Sequence, residues 1–248
     1  MNQLLPQRCA GFLLDSPPRP FYNTKINQKV RNIMAFFITL EGVEGSGKST
    51  QIRALAAHLQ GRGRQVLTTR EPGGCAIADA IRAILLDPGN RHLVPRAELL
   101  LYAAARAQHI EEVIRPALHA GIDVLCDRFA DATTAYQGGG RTLDAELVAQ
   151  LNAVATAGLR PDLTLLLDFP AELGLARARH RNQCTAQLHE GRFELEELAF
   201  HQRVRAAYLA LAAQEERFCI IDATGEPAQV TGRMRAAVDA FLTHREGA

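Results

Sequence analysis

Gly42-Val43-Glu44-Gly45-Ser46-Gly47-Lys48-Ser49-Thr50 is the stretch on which the reading of this chain turns. Its spacing is that of a phosphate-binding P-loop. Phe36 to Leu40 form a short apolar run ending at Glu41. Beyond the loop, Ile52, Leu55, Ala56 and Leu59 recur at helical spacing. Strand, glycine loop and helix thus stand in the order the motif needs. Glycines let the backbone curl until successive N–H groups point at an anion, and the next helix adds its positive end. Lys48 can reach terminal phosphates, and the Ser49 hydroxyl can bind a magnesium ion.

From Ala35 onward the chain alternates strand and helix. The spacing predicts strands at 65–69, 123–126, 163–167 and 218–221 besides the one before the loop. Ile77, Ile81, Ile84 and Leu85 mark a helix that stops before Pro88. A long helix starts after Pro95, with Leu100, Ala103, Ala104, Ala107, Ile114 and Leu118 on one face and Gly121 as its stop. Another helix covers about 144–157. From Glu194 a further one carries Phe200, Val204, Tyr208 and Leu211 on one side. Continuous apolar strands alternating with helices indicate an α/β fold, a parallel sheet covered on both faces.

Ligands of such sheets collect at the carboxyl ends of the strands. In this chain the strands run into the P-loop, Arg70-Glu71-Pro72-Gly73-Gly74, Asp127-Arg128-Phe129 and Asp168. Three of these four tips carry lysine or arginine, which describes a convergent site for phosphates. Arg177, Arg179 and Arg181 lead into a polar segment, 181–192, interrupted by Gly191. Beside a P-loop, an arginine-bearing flap between two helices reads as a lid.

The 248 residues suit one α/β domain, and a net charge of +1 argues against a general nucleic-acid or membrane-surface binder. No apolar run approaches the ~20 residues that span a bilayer. The cysteines, Cys9, Cys75, Cys126, Cys184 and Cys219, are scattered and form no CxxC pair, which fits the cytoplasm. Residues 1–33 are proline-interrupted and basic; they read as a disordered extension or an over-extended start before a kinase domain at 34–248.

A P-loop alone does not choose among switches, motors and kinases. The chain has no Asn-Lys-x-Asp for reading guanine, and Leu163 to Asp168 continues as Phe-Pro rather than ending in Asp-Glu. Arg70, Arg106 and Arg128 supply what a monophosphate acceptor would need. A kinase is therefore expected. A kinase for a different monophosphate or nucleoside and a non-catalytic ATP-binding regulator are the alternatives.

These residues carry a resemblance. The chain is similar to bacterial thymidylate kinases (dTMP kinases) in 37–50, in Thr69-Arg70-Glu71-Pro72-Gly73-Gly74, in Asp127-Arg128-Phe129, in Ala135-Tyr136-Gln137-Gly138-Gly139-Gly140-Arg141 and in Arg160-Pro161-Asp162-Leu163-Thr164. The likeness implies a P-loop kinase fold with a five-stranded parallel sheet and an arginine-bearing lid. It implies ATP and dTMP as substrates, Mg2+ as cofactor and a homodimer through helices that include the one after Pro95.

The resemblance also implies roles. Gly42 to Thr50 would cradle the ATP phosphates. Arg70 and Arg128 would hold the acceptor phosphate, and Glu44 would meet the deoxyribose 3′-hydroxyl. Tyr136 would crowd the 2′ position, with Gln137 next to it in the substrate site. Tyr102 would stack on thymine, Arg106 would bond a thymine carbonyl, and Thr133 or Thr134 would contact the remaining base edge. Ser49 would lie at the magnesium and Asp127 near the magnesium or the acceptor phosphate, and Lys48, Asp127, Arg128 and Arg181 would serve catalysis. Arg179 and Arg192 stand near Arg181. Two departures from the family pattern are Tyr102 in place of phenylalanine and Gly191 in place of an acid, within a longer lid.

Overall fold

Strand β1 (Phe37–Glu41) is buried along its whole length, because parallel neighbours flank it and helices cover both its faces. The computed structural model describes residues 35–184 and 191–246. The expected extension at 1–33 and part of the expected lid, 185–190, lie outside the described residues. After β1 come α1 (Lys48–Gly61), β2 (Val66–Arg70), α2 (Ala76–Leu86) and α3 (Pro95–His109). A π-helical segment, Ile110–Ile114, joins α3 to α4 (Arg115–His119). Next are β3 (Asp123–Asp127), α5 (Ala130–Thr133), a second π segment at Thr134–Gly140, and α6 (Ala145–Thr156). The chain continues through β4 (Leu163–Asp168), α7 (Ala171–Cys184), a 3-10 turn at Phe193–Leu195, α8 (Leu198–Ala212), β5 (Phe218–Asp222) and α9 (Pro227–Glu246).

The strands order β2-β3-β1-β4-β5, all parallel. Strand period sorts the core onto two faces. Phe36, Ile38, Leu40 and Leu125 pack with Leu55, Leu59, Val238 and Leu242 on one side. Phe37, Val124 and Cys126 pack with Ile110, Ile114 and Phe129 on the other. The order reverses direction at β1, so the P-loop leaves the sheet at its switch point, where a crevice opens between β1 and its neighbours. In the register Arg70 stands beside Asp127, and Asp127 beside Leu40. Three strand tips are thereby brought side by side.

Three expectations need correction. The second strand runs one residue later than 65–69. The helix after Glu194 begins only at Leu198, preceded by the 3-10 turn. The apolar row on the long helix does not face inward throughout: Leu100 and Ala104 are exposed, whereas Glu98, Leu99, Ala105, Arg106 and His109 are buried. The π segment adds a residue to a turn and rotates the next face, so Ile114 is buried although Leu100 is not. On α2, likewise, Ile77 and Ile84 are exposed and Leu85 is buried. Buried charges that find partners displaced the apolar row from the interior. Among the described residues, no helix is long and apolar enough to cross a membrane.

Asp123 ties the start of β1 to β3. Its Oδ1 accepts from the Phe36 N–H at 2.9 Å and from Arg64 Nη2 at 2.8 Å, with both side chains buried. Removing the carboxylate takes this acceptor from a buried guanidinium and a backbone N–H. Asp123→Ala is expected to cost about 3 kcal/mol, read in urea as a lower midpoint with an unchanged slope.

Candidate active site

The P-loop lies backbone against backbone on its neighbours. A Cβ on Gly45, whose φ is 69°, would stand 2.1 Å from the Gly174 carbonyl oxygen in the first turn of α7. Only glycine fits that approach. Lys48 folds back over the loop, donating to the Gly42 oxygen at 2.9 Å, the Val43 oxygen at 2.8 Å and Ser46 Oγ at 3.3 Å. Burial, with the charge of Arg128 next, lowers its pKa to about 8. Ser49 Oγ donates to Asp127 Oδ2 at 3.0 Å, joining the start of α1 to the tip of β3.

Arg128 connects loop and sheet. It stands just after β3 with φ at 72°. Its Nη1 donates to the Gly42 oxygen at 2.9 Å and to the Tyr208 hydroxyl at 3.2 Å, and its Nη2 to Glu44 Oε1 at 3.2 Å. The guanidinium lies 4.8 Å from the centre of the Tyr136 ring, whose hydroxyl donates to the same Glu44 oxygen at 2.6 Å. Burial raises the Glu44 pKa, but His201, Arg128 and Lys48 outweigh it and hold the group at about 2. Glu44 is therefore an anion at neutral pH. Glu41, fully buried at the end of β1, goes the other way. Burial, then the charge of Asp131, pushes it up to about 8, although Phe129 N–H and the Tyr208 hydroxyl each donate to it at 2.7 Å.

A second cluster forms the wall opposite. Arg106 is 2% exposed. It donates to Glu71 Oε2 at 2.7 Å, Asn152 Oδ1 at 2.9 Å, the Phe129 oxygen at 3.0 Å and Thr133 Oγ1 at 2.9 Å. His109 continues the cluster between Glu71 and Thr69, at 3.1 and 2.7 Å. A Cβ on Gly74 would stand 2.4 Å from His109, so the turn after β2 closes directly on this cluster. Arg70, at the β2 tip, is more than half exposed, 3.6 Å from Asp79. Tyr102 lies one turn before Arg106 on α3, its ring 6.5 Å from that of Phe193.

Gln137 is buried and donates its amide to Glu98 Oε1 at 2.8 Å, away from the P-loop cluster. Glu98 also meets Arg141 at 3.3 Å and Arg192 at 2.7 Å. Arg192 therefore belongs to the wall. Beyond it opens a cavity of about 560 Å³, lined also by Arg141 and Glu196. Arg179 is held by the carbonyl oxygens of Glu194 and Glu196, and Arg181 lies 3.5 Å from Glu194 with its side chain half exposed. Gly47 in the loop and Thr50 in the first turn of α1 are exposed.

Sequence reasoning missed Glu41, Glu98 and His201, and it read Tyr208 as core alone. Glu41 and Glu98 are charges adjoining apolar runs, and burial of such a charge is the available signal. Nothing in the spacing marks His201, whose partner lies far away in sequence.

A family model described as thymidylate kinase matches residues 40–233. The thymidylate kinase of Trichlorobacter lovleyi is 61% identical over 203 residues, covering 82% of this chain and 96% of the relative. That of Syntrophotalea carbinolica is 61% identical over 202 residues, covering 81% and 94%. Among solved structures, a thymidylate kinase from Ehrlichia chaffeensis aligns with a TM-score of 0.65 at 30% identity, covering 84% of this chain and 98% of that one.

The lowered pKa of Lys48 gives a signed expectation. In the free site the ammonium is lost as pH rises through about 8. A bound triphosphate favours the charged form and restores the proton. ATP binding should therefore weaken above pH 8 and take up protons there. Calorimetry in buffers of different ionisation enthalpy reads that uptake. Lys48→Met should abolish it.

Proposed function

This chain belongs to the thymidylate kinase family and phosphorylates dTMP to dTDP with ATP, and we propose how its residues divide that work. The observation that carries the proposal is the side chain of Arg128, which spans from a P-loop carbonyl to Glu44 and Tyr208. One cation thus faces both the donor loop and the acceptor pocket. Phosphoryl transfer needs this: two nucleotides held in line and the spreading charge neutralised.

The P-loop from Gly42 to Thr50 cradles the ATP phosphates, and Lys48 exchanges its carbonyl contacts for phosphate oxygens. Arg70 and Arg128 hold the acceptor phosphate from adjoining strand tips. Glu44 accepts from the sugar 3′-hydroxyl, and Tyr136, fixed by Glu44 and Arg128, crowds the 2′ position. Tyr102 stacks on the thymine. Arg106 commits four donor contacts inside the protein; a guanidinium has five N–H groups, and the fifth is left for a base carbonyl. Thr133, fixed by Arg106, meets the remaining base edge. Gln137 acts from behind, through Glu98.

Ser49 and Asp127 fit Mg2+. Two hard oxygen donors converge at the P-loop's end. Among the described residues no three His, Cys, Asp or Glu side chains gather as a metal site, as suits an ion held chiefly by phosphates and water. Bound there, the metal would neutralise phosphate charge. Arg181 of the lid, the arginine that matches the family's lid arginine, supplies the further cation; its half-exposed side chain lies 3.5 Å from Glu194. The exposed apolar side chains of Ile77 and Ile84 on α2 and of Leu100 on α3, two helices that pack together, support a homodimer through helices that include α3. Free Cys75, Cys126 and Cys219 support a cytoplasmic setting, where the product feeds dTTP synthesis.

Arg181→Ala should lower kcat by about 10³-fold or more while ATP affinity stays near wild type. Tyr102→Ala should raise the dTMP KM by about tenfold, the value of a base–aromatic stack. Steady-state kinetics across dTMP, dUMP, UMP, CMP and GMP, with ATP titration calorimetry, checks both. Unchanged turnover in Arg181→Ala would remove that arginine from the mechanism.

A further inference from the structure

His201 lies on α8, 1% exposed, edge-on to Phe200 with centroids 5.3 Å apart. Its Nδ1 is 3.3 Å from Glu44 Oε2. Its Nε2 is buried and has no hydrogen-bond partner among the described residues. Leaving a buried polar atom unpaired costs about 1–3 kcal/mol. A phenylalanine or leucine against Phe200 would bear no such cost, so packing does not account for the histidine.

Glu44 gives the account. Its two oxygens are used differently. Oε1 accepts from the Tyr136 hydroxyl at 2.6 Å and from Arg128 at 3.2 Å. Oε2 is buried, accepts no aligned hydrogen bond among the described residues, and has His201 beside it. A carboxylate oxygen has two lone-pair sites. With Oε1 occupied, Oε2 is the atom with room for a ligand donor.

We propose that His201 is a positioning residue, holding the Glu44 carboxylate so that Oε2 faces the 3′-hydroxyl of the acceptor nucleotide. The imidazole blocks rotation of the carboxylate and draws Oε2 to one side through Nδ1. Oε2, which accepts no aligned hydrogen bond among the described residues, is left to the sugar. Tyr136 and Arg128 fix the carboxylate from the loop and sheet side; His201 fixes it from the helix side. This inference rests on the reading of Glu44 as the partner of the sugar hydroxyl.

The experiment compares two acceptors, dTMP and 3′-deoxythymidine 5′-monophosphate, with the full chain. In His201→Phe, kcat/KM for dTMP should fall about tenfold, mainly through KM, while the 3′-deoxy acceptor is nearly unaffected. The preference for the hydroxyl should shrink by the same factor. His201→Asn, which can place an amide N–H near the Nδ1 position, should keep most of the preference, and His201→Gln should lose it. Equal losses on both acceptors would overturn the proposal, since a packing defect does not distinguish them. If His201→Phe does not fold, equal preference in the Asn and Gln variants would overturn it instead. Glu44→Gln is the control. A preference unchanged in Glu44→Gln would defeat the reading of Glu44, and the proposal with it. A preference lost in Glu44→Gln but kept in His201→Phe would defeat the role of His201 alone.

Discussion

A guanidinium held against the P-loop organises this molecule. Arg128 sits in a left-handed backbone conformation that costs an ordinary residue about 1–2 kcal/mol. Its charge is desolvated as well, which is costly unless every donor finds an acceptor. The Gly42 carbonyl, the Glu44 carboxylate and the Tyr208 hydroxyl offset that cost, and the Tyr136 ring covers one face. The contacts tie the tip of β3, the loop, the π segment and α8 to a single side chain. Lys48 is held nearby under the repulsion of Arg128. Two cations are thus fixed beside the P-loop, as the proposed division of roles requires of preorganised charge.

The carboxylates around that field have separate tasks because their surroundings differ. Glu44, among His201, Arg128 and Lys48, stays ionised far below neutral pH. Glu41, deep at the end of β1 and near Asp131, is pushed up to about 8. Glu71 and Glu98 lie farther out, each buried and each binding an arginine of the opposite wall. The result is a set of buried ion pairs around Glu71 and Glu98, beside the cations of the strand tips. Arg181, from α7, is more exposed than any of these carboxylates and pairs with Glu194. The lid role proposed for it suits a side chain from the less buried part of a structure.

The fold was legible in good part. Apolar runs at β1, β3 and β4 are continuous because both sheet faces are covered, and their tips carry the charges. Helix α3 shows where that legibility ends. Spacing alone puts its apolar row from Leu100 to Ala107 on the inward face. The interior instead takes Glu98, Arg106 and His109, since Arg141, Arg192 and Glu71 lie opposite to pair with them. Periodicity measures the preference of one helix for apolar surroundings. It does not know which partners await on other elements, nor that a π segment will rotate the face at Ile110.

By itself the sequence determined the phosphate cradle, because its working atoms are backbone N–H groups and neighbouring side chains, and local spacing alone places them. It also determined that charge gathers at the strand tips, since strands in a covered parallel sheet must end where the apolar run ends. Only the tertiary structure decided that Tyr208 reaches Glu41, that His201 adjoins Glu44 and that Gln137 turns to Glu98. Those pairs join residues from distant elements. Their geometry is set by how helices dock on the sheet, and that depends on the whole core at once.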